Sequence, residues 1–122
     1  MGRQVLVIED EPNIAEAIKF ILTRDGWRVA THPDGASAMA AVQRLQPDVL
    51  VLDLMLPGLS GLEVLRLIRA HPDLAELPVL MLTAKGQERD RQAAQQAGAN
   101  LFMTKPFANA EMLSAVRGLA GL

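Results

Sequence analysis

Asp48-Val49-Leu50-Val51-Leu52-Asp53 sets an unbroken apolar, β-branched-rich run between two aspartates. A run with no polar face reads as a strand buried on both sides, as in a parallel sheet covered by helices. Val5-Leu6-Val7-Ile8 has the same form, and Pro78-Val79-Leu80-Met81-Leu82 is a third case. Trp27-Arg28-Val29-Ala30 and Leu101-Phe102-Met103 are weaker strand candidates.

Helical patterns lie between these runs. Residues 12–25 carry Ile14, Ala17, Ile18, Ile21 and Leu22 as a helical stripe, with Pro12 suited to the first position and Gly26 to the end. Asp34 is placed to cap a helix over 35–45, stopped by Pro47. Ser60-Gly61-Leu62-Glu63 spells a capping box that opens a helix to about residue 70. Residues 87–97, closed by Gly98, form a fourth helix, and residues 109–120, behind the poor cap Ala108, a fifth. Strand and helix alternate five times. The expected fold is therefore an α/β three-layer sandwich of five βα units, a flavodoxin-like parallel sheet with right-handed crossovers. Such sheets carry their sites at the carboxyl ends of the strands.

The chain has 122 residues, half of them apolar, which fits a single domain over residues 1–122 with a sizeable core. A formal net charge of −2 argues against direct nucleic-acid binding or attachment to an anionic membrane as the main task. The absence of cysteine removes disulfides, thiolate metal sites and a cysteine nucleophile. The apolar run after Met1-Gly2-Arg3-Gln4 meets charge at Glu9-Asp10-Glu11 too soon for a secretory signal, and no stretch reaches membrane-spanning length. The default expectation is a cytoplasmic protein.

The acidic residues gather at strand ends. Glu9 and Asp10 follow the first strand and Asp53 the third; Thr83 follows the fourth and Lys105 the fifth. With strand order 2-1-3-4-5, the first and third strands are neighbours, so Glu9, Asp10 and Asp53 meet at one edge. Two carboxylates about 4 Å apart repel by roughly 4 kcal/mol at an effective dielectric near 20. A hard dication offsets that cost, and an oxygen-only donor set favours Mg2+ over zinc. A carboxylate beside such an ion can attack phosphorus to give an aspartyl phosphate, with Thr83 and Lys105 serving the other phosphate oxygens.

Four segments together resemble the receiver domains of two-component signalling, of the chemotaxis-regulator type. They are Val7-Ile8-Glu9-Asp10-Glu11-Pro12, residues 47–58 from Pro47 to Gly58, Met81-Leu82-Thr83-Ala84, and Ala97-Gly98-Ala99 through Thr104-Lys105-Pro106-Phe107. The resemblance implies that Asp53 is the phosphoacceptor and that Asp10 is a direct Mg2+ ligand. Glu9 would be its acidic partner through water, and the backbone carbonyl of Met55 would complete the set. Lys105 would contact the phosphate, Thr83 would hydrogen-bond it, and Phe102 would be the switch aromatic. It also implies a cis peptide before Pro106. The implied partners are a sensor histidine kinase or phosphotransfer protein, and a downstream target or fused output domain. The face made by the fourth helix, fifth strand and fifth helix, where Leu101 is expected to be exposed, would carry the output. That face is also a candidate for a phosphorylation-promoted homodimer. Such a protein is a switch with its own phosphotransfer and dephosphorylation chemistry rather than an enzyme.

Three departures stand out. Glu9 stands where aspartate is common, Ser60 replaces a frequent aspartate, and Asn100-Leu101 replaces a frequent acidic pair. Met55 and Lys85, two residues beyond Asp53 and Thr83, offer no carboxylate or amide to orient a hydrolytic water, so a persistent phosphate is expected. The fourth helix has only alanines as apolar anchors and should be weakly held. His32 and His71 read as solvated loop residues and Arg66 with Arg69 as a solvated helix face. Trp27 is expected to pack, and Met39, Met81, Met103 and Met112 to fill the core. A degenerate receiver used only as a protein-binding scaffold is the main alternative, but it needs the loss of a site residue and none is lost. A haloacid-dehalogenase-like phosphohydrolase would need a second acid where Met55 stands. A nucleotide-binding flavodoxin-like module would need a glycine-rich first loop.

Overall fold

A computed structural model of the chain describes residues 3–84 and 88–122. The elements run β1 (Gln4–Ile8), α1 (Pro12–Arg24), β2 (Arg28–His32), α2 (Ala38–Leu45), β3 (Val49–Asp53), α3 (Gly61–Ala70), β4 (Val79–Thr83), α4 (Glu88–Ala97), β5 (Leu101–Thr104) and α5 (Asn109–Leu119). The five strands form one parallel sheet in the order β2-β1-β3-β4-β5.

The all-apolar strands follow from helices on both faces. Alternate residues of β1, β3 and β4 point to opposite sides. Leu6, Ile8, Leu50, Leu52, Val79 and Met81 pack with Val42, Val64, Leu65, Ile68 and Ala94 under α2, α3 and α4. Val5, Val7, Val49, Val51, Leu80 and Leu82 pack with Ile18, Leu22, Met112 and Val116 under α1 and α5. Full burial of each large aliphatic side chain contributes about 1.5–3 kcal/mol. Trp27, Met81, Met103 and Met112 are buried and Met39 is half-buried, as expected.

Local signals hold where they depend only on nearby residues. The Ser60 hydroxyl accepts from the Glu63 N–H at 3.3 Å, and the Glu63 carboxylate accepts from the Ser60 N–H at 3.1 Å. Past the end of α1, Gly26 N–H donates to the Thr23 carbonyl and Trp27 N–H to the Leu22 carbonyl, which closes that helix. The Lys105–Pro106 peptide is cis. Among the described residues, only Ala94 of α4 is fully buried, in keeping with its alanine anchors.

Tertiary contacts override the other readings. Ala17 is exposed and Ala15 takes its place in the core, because the buried stripe of α1 runs Ala15, Ile18 and Leu22. The second helix begins at Ala38 rather than 35: Gly35 N–H is engaged by the Pro57 carbonyl at 2.9 Å, and Asp34 instead accepts from the N–H and hydroxyl of Ser37. His32 belongs to β2 and is half-buried, with its Nε2 2.8 Å from the Ser37 hydroxyl. His71 ends α3, half-buried, and its Nδ1 accepts from the Asp73 N–H. Arg66 is exposed, but Arg69 is half-buried and donates to backbone carbonyls of the neighbouring segments. The position expected for Lys85 lies outside the described residues.

Candidate functional site

Parallel strands bring the ends of β1, β3, β4 and β5 to one edge. Glu9 is held there by its own backbone, whose N–H donates to the His32 carbonyl at 2.9 Å. Its side chain turns inward. One carboxylate oxygen accepts from the Glu11 N–H at 3.1 Å, and the other meets Lys105 Nζ at 2.8 Å. Asp10 stands exposed at the rim. Asp53, the last residue of β3, is 2 % exposed. One of its oxygens lies 3.4 Å from Lys105 Nζ, and the other accepts from the Met55 N–H at 3.4 Å. Carboxylate oxygens of Glu9, Asp10 and Asp53 fall within 4.8 Å of one another.

The backbone beneath Asp53 is fixed by the start of α3. Gly61 N–H donates to the Leu54 carbonyl at 2.8 Å, and a Cβ at Gly61 would sit 2.2 Å from the Asp53 carbonyl oxygen. Only glycine allows that approach. Leu54 N–H in turn donates to the Leu82 carbonyl at 2.7 Å, which ties the Asp53 end of β3 to β4. Thr83 is buried at the end of β4, and its carbonyl accepts from Lys105 N–H at 2.7 Å. Phe102 lies opposite Met81 in the β4–β5 register, half-buried on the core. It also borders a surface cavity of about 430 Å3 shared with α4 and Leu101. Leu101 is exposed, and the Met55 side chain is 70 % exposed.

Burial dominates the electrostatics. It pushes Glu9 up to about 7, against the Lys105 and Glu11 hydrogen bonds, with the charge of Asp53 adding to the rise. Asp53 is also raised by burial, although Lys105 opposes the shift. Burial alone would lower the Lys105 ammonium, but its hydrogen bond to Glu9 and the charge of Asp53 outweigh this and hold it above its ordinary value. Two carboxylates that resist ionisation beside an exposed third form an oxygen-only cluster short of positive charge. That donor set fits a hard dication such as Mg2+.

The structure thus brings Glu9, Asp10, Asp53, Lys105 and the Met55 backbone together, with Thr83 beside them on the strand between. Phe102 stands two strands away from Asp53, across β4, on the side of α4. Sequence reasoning missed Gly61 as a determinant of the site. Its only signal was a glycine directly behind the Ser60 cap.

A family model described as response regulator receiver domain matches residues 5–117. The chain is 47% identical over 115 residues to "Probable transcriptional regulatory protein TcrX" of Mycobacterium tuberculosis, covering 94% of this chain and 48% of that one. It is 37% identical over 119 residues to the phosphate regulon transcriptional regulatory protein PhoB of Klebsiella pneumoniae, covering 98% and 52%. The chain spans about half the length of the curated relatives it matches. Among solved structures, it resembles the receiver domain of a Pseudomonas aeruginosa PAO1 sensor histidine kinase with a magnesium ion in its active site cleft. That match has 33% identity, a TM-score of 0.91 and full coverage of both chains. Chemotaxis response regulator CheY4 of Vibrio cholerae matches at 27% identity and a TM-score of 0.91, covering 98% of this chain and 99% of that one. Among the described residues, no helix is long and apolar enough to cross a membrane.

Proposed function

The chain belongs to the response regulator receiver domains of two-component signalling, and on that premise we propose that residues 1–122 form one receiver whose Asp53 accepts a phosphoryl group. The observation that carries this reading is the buried Asp53 carboxylate, 3.4 Å from Lys105 Nζ and clustered with Glu9 and Asp10 within 4.8 Å. A carboxylate oxygen of Asp53 attacks the phosphorus of a donor. The new O–P bond forms as the bond from phosphorus to the donor breaks. With a phosphohistidine donor, the electron pair stays on the leaving imidazole nitrogen, which is then protonated. The Lys105 ammonium holds a phosphoryl oxygen, and the Thr83 hydroxyl donates to another. A bound Mg2+ would supply the charge that lets the carboxylates stay ionised and would orient the phosphoryl oxygens. Asp10, Asp53 and the Met55 carbonyl are its proposed ligands, with Glu9 as their acidic partner.

Output follows from the added charge of about −1.5 to −2 at the site. A charge-assisted bond from Thr83 is worth roughly 1.5–3 kcal/mol, enough to move a two-state equilibrium about 10- to 100-fold. Movement of Thr83 makes room for Phe102, and the α4-β5-α5 face changes. The partners are a sensor histidine kinase or phosphotransfer protein on the input side, and on the output side a target protein or a linked output domain. A second copy of the chain is another candidate for the output face. The setting is cytoplasmic. Beyond phosphotransfer onto Asp53 and its reversal, no further enzymatic activity belongs to this reading.

The test is incubation with Mg2+ and acetyl phosphate, read by intact mass. One phosphoryl mass gain is expected, acid-stable and base-labile, absent in EDTA and absent in Asp53→Asn. A gain of equal rate in Asp53→Asn would overturn the assignment.

A further inference from the structure

The helix that carries the output is held very unevenly. In its first half, Glu88, Arg89, Arg91 and Gln92 are all exposed and Asp90 is only half-buried, so no side chain there is an anchor. The second half contributes buried Ala94 and half-buried Ala97. Beyond it, Gly98 N–H donates to the Gln95 carbonyl and Ala99 N–H to the Ala94 carbonyl, which seals that end.

Arg69, from the last turn of α3, grips the same end. Its Nε and Nη2 donate to the Gly98 carbonyl at 3.0 and 2.9 Å, and Nη2 also donates to the Asn100 side-chain oxygen at 3.0 Å. Nη1 reaches the carbonyls of Leu74 and Ala75 at 3.4 and 3.1 Å. The Asn100 oxygen also accepts from the Val79 N–H at 2.8 Å, and the Asn100 N–H donates to the Val79 carbonyl at 3.0 Å. Packing is tight: a Cβ at Gly98, where φ is +106°, would lie 2.9 Å from Arg69 Nε. One planar guanidinium therefore joins the end of α3, the loop after it, the end of α4 and the start of β5. A lysine has neither the fork nor the reach to make these bonds together.

We propose that Arg69 is a positioning residue that pins the C-terminal end of α4 and the start of β5, so that the phosphorylation response is a swing of the N-terminal end of α4 about a fixed pivot. The confinement of the response rests on the reading of Asp53 as phosphoacceptor and of α4 as its output. The pin itself does not. Over ten residues at 1.5 Å each, the helix gives a lever of about 15 Å from Gly98 to its first turn. Displacement is then largest next to the strand end that bears Thr83 and smallest at Gly98.

The experiment is amide NMR on the chain itself, with and without Mg2+ and beryllium fluoride as the phosphoryl mimic, for wild type, Arg69→Gln, Arg69→Lys and the exposed control Arg66→Gln. Without the mimic, the amides of Gly98, Ala99 and Asn100 should exchange at least tenfold faster in Arg69→Gln than in wild type, less so in Arg69→Lys, and unchanged in Arg66→Gln. With the mimic, wild-type shift changes should concentrate in residues 88–93 and spare 98–101, whereas in Arg69→Gln they should spread into 98–101. Should Arg69→Gln fail to fold, Arg69→Lys carries the same comparison at smaller amplitude. Wild-type exchange rates at 98–100 in both Arg69 variants would overturn the pin. Equal wild-type shift changes at both ends of α4 would overturn the pivot. Absence of any mimic-dependent shift in wild type, with the exchange difference intact, would instead overturn the phosphoacceptor reading and the pivot with it, leaving the pin standing.

Discussion

A buried ion triad and an outer ion pair sit at opposite ends of the sheet and do opposite things to their carboxylates. Lys105 joins Glu9 and Asp53 at the carboxyl ends of the strands, with side chains 11%, 0% and 3% exposed. Arg117 of α5 joins Asp25, just past the end of α1, with side chains 50% and 18% exposed. Glu9 and Asp53 are raised because burial outweighs the lysine. Asp25 is lowered, chiefly by the Arg117 hydrogen bond, which with the charge of Arg117 and the Trp27 hydrogen bond outweighs the opposing desolvation. The buried group is held by the fold at a cost, while the exposed pair helps hold the fold. A carboxylate cluster kept at such a cost is where a cation can bind strongly, since its charge relieves what the protein alone does not.

The largest expected effect comes from removing the buried cation. Lys105→Met leaves Glu9 and Asp53 facing one another with no counter-charge. Breaking a buried pair in this way costs about 3–5 kcal/mol. Protonation of the carboxylates relieves the loss, so it should be greatest near about pH 8 and much smaller near about pH 5. Urea unfolding of the metal-free protein at both pH values measures this. An equal loss at both would mean that Lys105 acts by packing, and the contrast with Arg117 would fall.

Next in size is the competition between magnesium and the proton. The folded pKa of Glu9, about 7, lies above its ordinary value of 4.5. In the metal-free protein the folded state therefore binds more protons across that window, and stability falls as pH rises through it. Magnesium needs the ionised form, so its affinity should run the other way. Below pH about 7 it should drop about tenfold per pH unit, and above that it should level off. Calorimetric titration with MgCl2 across this range checks the slope. A flat profile would remove Glu9 from the metal's surroundings and leave Asp10 and Asp53 alone.

The buried site was more legible in sequence than the exposed pair, and the reason is local. β1, β3 and β4 are continuous apolar runs, so their carboxyl ends are readable. Glu9, Asp53 and Thr83 are each the first reactive residue at such an end, and Lys105 follows Thr104 just past the weaker fifth run. Their convergence needed only the strand order, which the structure bears out. The partners of the other groups lie far off in the chain. Asp25 and Arg117 are 92 residues apart, and neither position carries a pattern that pairs them. Arg69 reads like the solvated neighbour of Arg66 because its acceptors are main-chain carbonyls, which sequence does not distinguish, and one side-chain oxygen 31 residues away, that of Asn100. The second helix likewise starts three residues later than the sequence pattern places it, where Gly35 lies against a distant loop: its N–H donates to the Pro57 carbonyl, 22 residues further on, and the Leu59 carbonyl fills the space a Cβ would need.

The smallest effect should belong to Asp25→Asn. Asparagine keeps one acceptor, for Arg117 Nε and for the Trp27 indole N–H, which donates to Asp25 at 3.2 Å, and loses the charge and the second acceptor that takes Arg117 Nη2. The folded carboxyl lies below its ordinary 3.8, so its contribution is present above that value and drains away as pH falls below it. The pair is open to solvent on the arginine side, so salt should screen it. At pH 7 and low salt, Asp25→Asn should lower the melting temperature slightly. The difference should shrink at about 1 M salt and shrink progressively as pH is lowered below 3.8. Thermal melts of the two proteins over that grid are the check. A loss as large as that of Lys105→Met, or one that persists in high salt, would show that the outer pair is as costly to break as the inner one. Burial would then not be what separates them.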